Sequence, residues 1–499
     1  MRLLDKESIV APPEFNRWLM PAAALAIHLC IGQVYALSVF KVPFMDRFET
    51  GEVAIGWIFS LAIAMLGISA AIGGTWVEKA GPRKSMVVAG AFWVVGFFVA
   101  SLGISTGQLW LLYVGYGVIG GIGLGIGYIS PVSTLMKWFP DRPGLATGLA
   151  IMGFGGGALI ASPLSSALMG AFGGGTEPEN LVAGLTPTFV TLGVVYALAI
   201  AAGAYVIRLP HPDWKPAGYQ PPVDEDGVER KSLVNVSVKS AMRTPQFWFL
   251  WIVLFTNVTA GIGILENAAP MIQDYFSEIT AASAAGFVGL LSLANMGGRF
   301  VWSTASDYIG RKNVYVVYLG VGLLAYLFIA IFGGGNVVLF ILATLVILSF
   351  YGGGFATMPA YLRDLFGVYQ VGAIHGRILT AWAAAGIAGP LIVNVVVEHG
   401  SASGAEGAGV YALSLYIMVG VLALGFVANL LIRPVAKRHH VSAEELEAAQ
   451  LATPSGSSVD RTAGSNAFHK LVAIVLAAVV VAALAYGLAL TVVKAAALF

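Results

Sequence analysis

Charge is what this sequence has least of: 11% of its 499 residues are Asp, Glu, Lys or Arg, against 58% hydrophobic. That is too little polar surface to cover a water-soluble globule of this length, so the solvent of the fold is lipid. Cysteine is nearly absent as well. The single Cys30 excludes an intrachain disulfide and reads as a small buried filler. No Walker A string occurs, and "GIGLGIG" at 121–127 lies inside an apolar stretch with no strand before it. It reads as small residues that let helices approach closely, not as a phosphate loop. Carboxylates are missing from the middle of the apolar stretches, where Glu266 is the one acid at any depth and sits near an outer end. Without paired acids, a Ser/His pair or metal ligands at one depth, an intramembrane enzyme is excluded. No metal, cofactor, ATP or nucleic acid is expected as a partner.

Long apolar runs are what the chain does have. A bilayer core about 30 Å thick needs about 20 apolar residues per helix, and thirteen such stretches recur, from 19–40 and 54–74 through 281–303 and 376–396 to 471–493. The first follows several charges and has no small-residue cleavage pattern, so it is expected to stay in the mature protein. Basic residues set the sidedness. With a cytoplasmic N-terminus, all Lys and Arg except Lys41, Arg47, Lys494 and the intrahelical Arg299 fall on cytoplasmic segments, whereas Glu177, Glu179, Glu398 and Glu406 face out. The expectation is a multi-pass protein of a bacterial inner membrane, its N-terminus inside and its C-terminus outside.

The chain also repeats. Trp18 matches Trp248, Pro43 Pro270, Gly81 Gly310, Pro131 Pro359, Gly148 Gly376 and Pro163 Pro390, at offsets of 227 to 230 residues. Two six-helix halves follow, 1–208 and 245–433, joined by a cytoplasmic linker at 209–244 rich in Pro and charge. Beyond them lie a polar tether, 434–470, with "SAEELEAAQ" as a short surface helix, and an extra helix, 471–499. Outside both repeats and behind a tether, that helix is expected to be dispensable: removing residues 440–499 leaves function intact.

Arg299 carries the functional argument. Asp307 marks the cytoplasmic end of the eighth stretch, and eight residues at 1.5 Å each put Arg299 about 12 Å deep. A guanidinium at that depth costs about 3 kcal/mol on insertion scales and is too deep to snorkel. Its planar fork suits a carboxylate through two parallel hydrogen bonds.

The loops "GTWVEKAGPRK" and "STASDYIGRKN" resemble the acidic-x-x-Gly-basic signature of the major facilitator superfamily. There Glu78 and Asp307 close helix ends, while Arg83, Lys84, Arg311 and Lys312 are expected to reach a neighbouring helix in one conformation only, as a latch. Further strings, "AGPRK", "KWFPDRPGLATGLA", "RTPQFW" and "NMGGRFVWSTASDYIGRK", are similar to the oxalate:formate antiporter family. The resemblance implies an all-α major facilitator fold of two pseudo-symmetric halves, here with a thirteenth transmembrane helix. It implies a carboxylate-binding arginine at Arg299 and aromatic pocket walls at Tyr35, Tyr128, Phe154, Tyr351 and Phe355.

Two departures bear on substrate. Where oxalate carriers of the family have a second buried cation, this chain has Trp382, which points to a monocarboxylate: formate, lactate, pyruvate or a small hydroxy acid. Where related proton symporters carry an acid four residues before the arginine, this chain has Asn295. That leaves His28 and Glu266 as weaker proton-coupling candidates. Exchange and proton symport both stay open at this stage, as do oxalate:formate exchange and a non-transporting carboxylate receptor.

Overall fold

The computed structural model describes residues 4–12, 14–175, 178–211, 214–219, 235–279, 281–442 and 467–495. The long linker stretch 220–234, the surface helix expected after Ser442 and the tether that follows it lie outside the described residues. Among those described the protein is helical, with no strand. The long helices are α1 (Leu19–Ile31), α2 (Glu52–Ala80), α3 (Pro82–Thr106), α4 (Gly121–Trp138), α5 (Pro143–Gly173), α6 (Pro178–Val206) and α7 (Pro245–Tyr275). They continue with α8 (Ala281–Ile309), α9 (Arg311–Phe332), α10 (Val337–Phe366), α11 (Val371–Ala402), α12 (Ala412–Leu431) and α13 (Ala467–Ala495). Among the described residues, twelve helices are long and apolar enough to cross a membrane. α8 has 29 residues, long enough by its rise to span the bilayer core.

Glycine sets how closely the helices meet. In "GIGLGIG", a Cβ on Gly121 or Gly125 would lie 2.6 Å from the Met65 side chain or 2.3 Å from the Leu66 carbonyl of α2. On Gly123 it would lie 2.7 Å from the Ala89 carbonyl of α3. The alternating glycines therefore seat α4 against two neighbours at once. Gly81 and Gly310, matched by the repeat, hold φ of 82° and 86° in the one-residue turns between α2 and α3 and between α8 and α9. A side chain there would be strained, because left-handed backbone is costly for anything but glycine.

The two halves meet along two seams, α2 with α11 and α5 with α8. Gly376 of α11 faces the Ala70 carbonyl at 2.1 Å from its would-be Cβ, and its repeat partner Gly148 of α5 faces Ser303 Oγ at 2.2 Å. The same sequence landmark thus makes the tight crossing in each seam.

α13 is packed into the bundle. It lies against α1, α5 and α6 of the first half and α8 of the second. A Cβ on Gly156 of α5 would meet Met296 of α8 and Leu484 of α13 at 2.9 and 3.1 Å, and one on Gly487 would meet Leu159 at 2.7 Å. Its buried residues, His469, Ala473, Leu476 and Val480, continue through Leu484 and Gly487 in steps of three and four, a single helix face. Phe468, Leu471, Ile474, Val475 and Val479 on the other side are exposed. The position that made this helix look separable in sequence is not its position in space: it covers the α5–α8 seam.

Candidate functional site

The residues expected to form a gate fall at one end of the bundle, where the acids and the bases make different contacts. Asp307, in the last turn of α8, accepts from the Gly144 and Leu145 backbone N–H groups at 2.8 and 2.9 Å. Glu78, in the last turn of α2, accepts from Gly372 N at 3.2 Å and from Lys137 Nζ at 3.2 Å. Each acid therefore caps the N-terminus of a helix in the opposite half, α5 or α11. The helix dipole makes such a contact worth about 0.3–1 kcal/mol, more when partly buried.

The basic residues reach neighbouring helices of their own half. Arg83 donates to Ala204 O and Tyr205 O, both at 2.9 Å, at the C-terminus of α6, and Lys312 donates to Leu430 O and Ile432 O, both at 2.8 Å, at the C-terminus of α12. Arg311 bonds Asp307 at 2.5 Å and Asp364 at 3.2 Å. All three tie helices within their own half, where C-terminal carbonyls attract cations. Lys84 is exposed. A further contact between halves runs from Arg363 Nη2 to Pro140 O at 3.3 Å.

Deeper in, Arg299 is 0% exposed. Its Nε donates to Asn295 Oδ1 at 3.0 Å, one turn earlier on α8, and its Nη1 donates to the Ile151 carbonyl of α5 at 3.3 Å. Among the described residues Nη2 has no acceptor at normal hydrogen-bond geometry, although the Tyr35 hydroxyl lies beside the guanidinium. Gly155 makes room, since a Cβ there would sit 3.0 Å from Arg299 Nε. Asn295 is thus the residue that aims the guanidinium.

The rings of Phe154 and Phe355 flank Arg299 at 5.9 and 5.4 Å from its central carbon. Trp382 of α11 is fully buried, with its ring centroid 4.6 Å from Phe355, 5.5 Å from Phe154 and 5.6 Å from Tyr128. Tyr35 lies past Ile31, where α1 tightens into 3-10 turns over Gly32–Phe40. It reaches across to Tyr351, hydroxyl to hydroxyl at 3.5 Å. By helix rise, Tyr351 stands about 22 Å from the latch end of α10 and Phe355 about 16 Å, so the two hydroxyls close the side of the cage away from the latch.

All eight expected pocket residues are therefore brought together, from both halves. Three buried donors around them have no acceptor among the described residues: Arg299 Nη2, Tyr128 OH and Trp382 Nε1. Each unmet donor costs about 1–3 kcal/mol.

His28 is fully buried beside this cage, with Nε2 3.1 Å from the Tyr128 carbonyl and Nδ1 against the Ala150 carbonyl. The side chain of Glu266 lies outside the described residues. Sequence reasoning missed His375, which is buried on α11 with its ring 5.9 Å from Tyr128. Its signal was available: it stands two turns before Trp382 and so on the same face.

The crossing beneath the site gives a test of the seam. A side chain at Gly148 cannot fit against Ser303 and the Arg299 carbonyl without forcing α5 and α8 apart, and such overpacking costs about 1–3 kcal/mol. Gly148→Leu should therefore shift the population away from the latch-closed form by about tenfold or more. A cysteine replacing the buried Thr147, in a background without Cys30, should then label faster with an impermeant thiol reagent.

Comparison with known proteins agrees with this architecture. The sequence profile of the Major Facilitator Superfamily matches residues 23–390 and 298–497. The chain is 27% identical to the uncharacterized MFS-type transporter YhjX of Escherichia coli, over 73% of this chain and 84% of that one. It is 28% identical to the oxalate:formate antiporter of Oxalobacter formigenes over 75% and 83%, and 25% identical to apicoplast pyruvate carrier 1 of Toxoplasma gondii over 76% and 74%. Among solved structures, the transporter FucP superposes with a TM-score of 0.61, at 14% identity, over 84% of this chain and all of that one. From its profile match and its helical architecture, the chain belongs to the major facilitator superfamily of membrane transporters.

Proposed function

We propose that this protein is a secondary transporter of small monocarboxylates, which it binds at Arg299 and passes across the membrane by alternating access. One observation carries the reading: a fully buried guanidinium, with no acid beside it among the described residues, shares an aromatic cage with two other unmet donors. A carboxylate supplies two acceptor oxygens and the missing charge together. The relatives named as an oxalate:formate antiporter and a pyruvate carrier support the same substrate class. Flux of labelled formate, lactate and pyruvate into proteoliposomes tests it, with and without a counter-substrate inside; no flux of any carboxylate would overturn it.

Exchange is the coupling we favour, because a loaded site is neutral and an empty one is not. A second reading, proton symport, rests on His28. Both its ring nitrogens face backbone carbonyls, and a neutral imidazole can donate to only one of them. An imidazolium satisfies both, and a carboxylate on Arg299 would offset its charge. Uptake driven by an imposed proton gradient with no internal counter-substrate, and lost in His28→Gln, would select this reading.

Substrate charge is tested by competition. Trp382 fills the cage against Phe355 and offers a single N–H, so a dicarboxylate would leave one negative charge uncompensated at low dielectric. Excess oxalate should inhibit formate or lactate uptake at least about tenfold more weakly than either inhibits the other. Trp382→Lys should narrow that gap. Equal inhibition of the wild type by oxalate would refute the single-charge reading.

A further inference from the structure

Away from the cage, a second arginine lies within a helix long and apolar enough to cross the membrane. Arg377 is six residues into α11, about 9 Å along the axis from its first residue. Its Nη1 donates to the Ala373 carbonyl of its own helix at 2.9 Å, and no carboxylate among the described residues pairs with it. The side chain borders a groove of about 450 Å³ whose other walls are Ala71 and Ile72 of α2, Met242, Phe247, Trp248 and Trp251 at the start of α7, and Thr380. The groove opens on the outside of the bundle, where Ile72 is 74% and Trp248 49% exposed. Arg243, next to Met242, is exposed as well.

An apolar floor alone would take any acyl chain, and a lone surface cation any anion. Their combination at this depth, with tryptophan at the rim, selects an amphiphile with a negative head. We propose that this groove binds an anionic phospholipid of the latch-side leaflet, its phosphate on Arg377 and an acyl chain along Ile72 and Trp248.

The groove joins α2 of one half to α7 and α11 of the other, beside the Gly376–Ala70 crossing and the Glu78 cap on Gly372. A lipid seated there bridges the halves and stabilises the latch-closed arrangement. Binding to this state and not to an unfolded one raises thermal stability by mass action.

The test uses the full chain in a neutral detergent, titrated with phosphatidylglycerol, with phosphatidylcholine of the same acyl chains, or with glycerol phosphate. Melting midpoint and bound lipid, by native mass spectrometry, are read together. Phosphatidylglycerol should raise the wild-type midpoint and leave a retained adduct, and the other two should do less. Arg377→Gln should lose both effects while melting like the wild type without lipid. Should that variant fail to fold, Ile72→Trp, which fills the groove, should lose the adduct in its place. Equal responses of wild type and Arg377→Gln, or a shift by glycerol phosphate as large as that by the lipid, would overturn the proposal. Neither readout depends on transport, so the result stands apart from the assignment of Arg299.

Discussion

Arg299→Ala should reduce carboxylate flux by at least about 100-fold, because truncating one partner of a buried charge pair costs about 2–5 kcal/mol. Arg299→Lys should recover little: the ammonium keeps the charge but loses the planar fork, and it cannot hold Asn295 Oδ1, the Ile151 carbonyl and a substrate oxygen in one plane. The fold should not suffer. A buried cation without an acid is a cost to the empty protein, so the alanine variant should insert normally and melt at or above the wild-type temperature. Melting midpoint therefore separates the roles. Preserved flux, or a variant that loses its fold along with its flux, would make Arg299 structural.

Removing the last helix should have the second largest effect, opposite to the one the sequence alone led us to expect. A chain ending at residue 439 would bare Gly156, Leu159 and Met296 along the α5–α8 seam, together with the Val206 carbonyl that His469 Nε2 meets at 3.0 Å. The buried residues of α13 each contribute on the order of 1 kcal/mol or more of packing. The truncated protein should still insert, since the two halves are complete without α13, but should melt several degrees lower and lose at least about half of its flux. Unchanged midpoint and flux would show α13 to be a bystander.

How much of this was legible beforehand depends on the kind of contrast each feature makes with its surroundings. The spans stood out because lipid imposes long apolar runs, and Arg299 because a guanidinium in such a run has few explanations. The cage aromatics came from the family resemblance, and Trp382 from a departure within it. The face of α13 had no contrast to read, since it is apolar all round and periodicity shows only where one side is polar. His375 escaped because α11 begins at Val371, five residues before the expected span, so that a buried histidine looked like a loop residue. The basic residues of the gate loops were legible only in part. Composition tells that a cation seeks carbonyls or carboxylates, but not whether those belong to its own half or to the other.

The bare guanidinium of Arg299 has a consequence for how membrane potential acts on the cycle. A carrier that crosses loaded with a singly charged acid moves a neutral pair, and the field does no work on it. A carrier that returns empty moves the arginine alone, and each elementary charge carried across 100 mV is worth about 2.3 kcal/mol. Voltage should therefore leave the exchange of one monocarboxylate for another untouched, yet speed or slow net uptake according to its sign. A transporter with a compensating acid beside the arginine would show the opposite pattern, with a neutral empty form and a loaded form that feels the field.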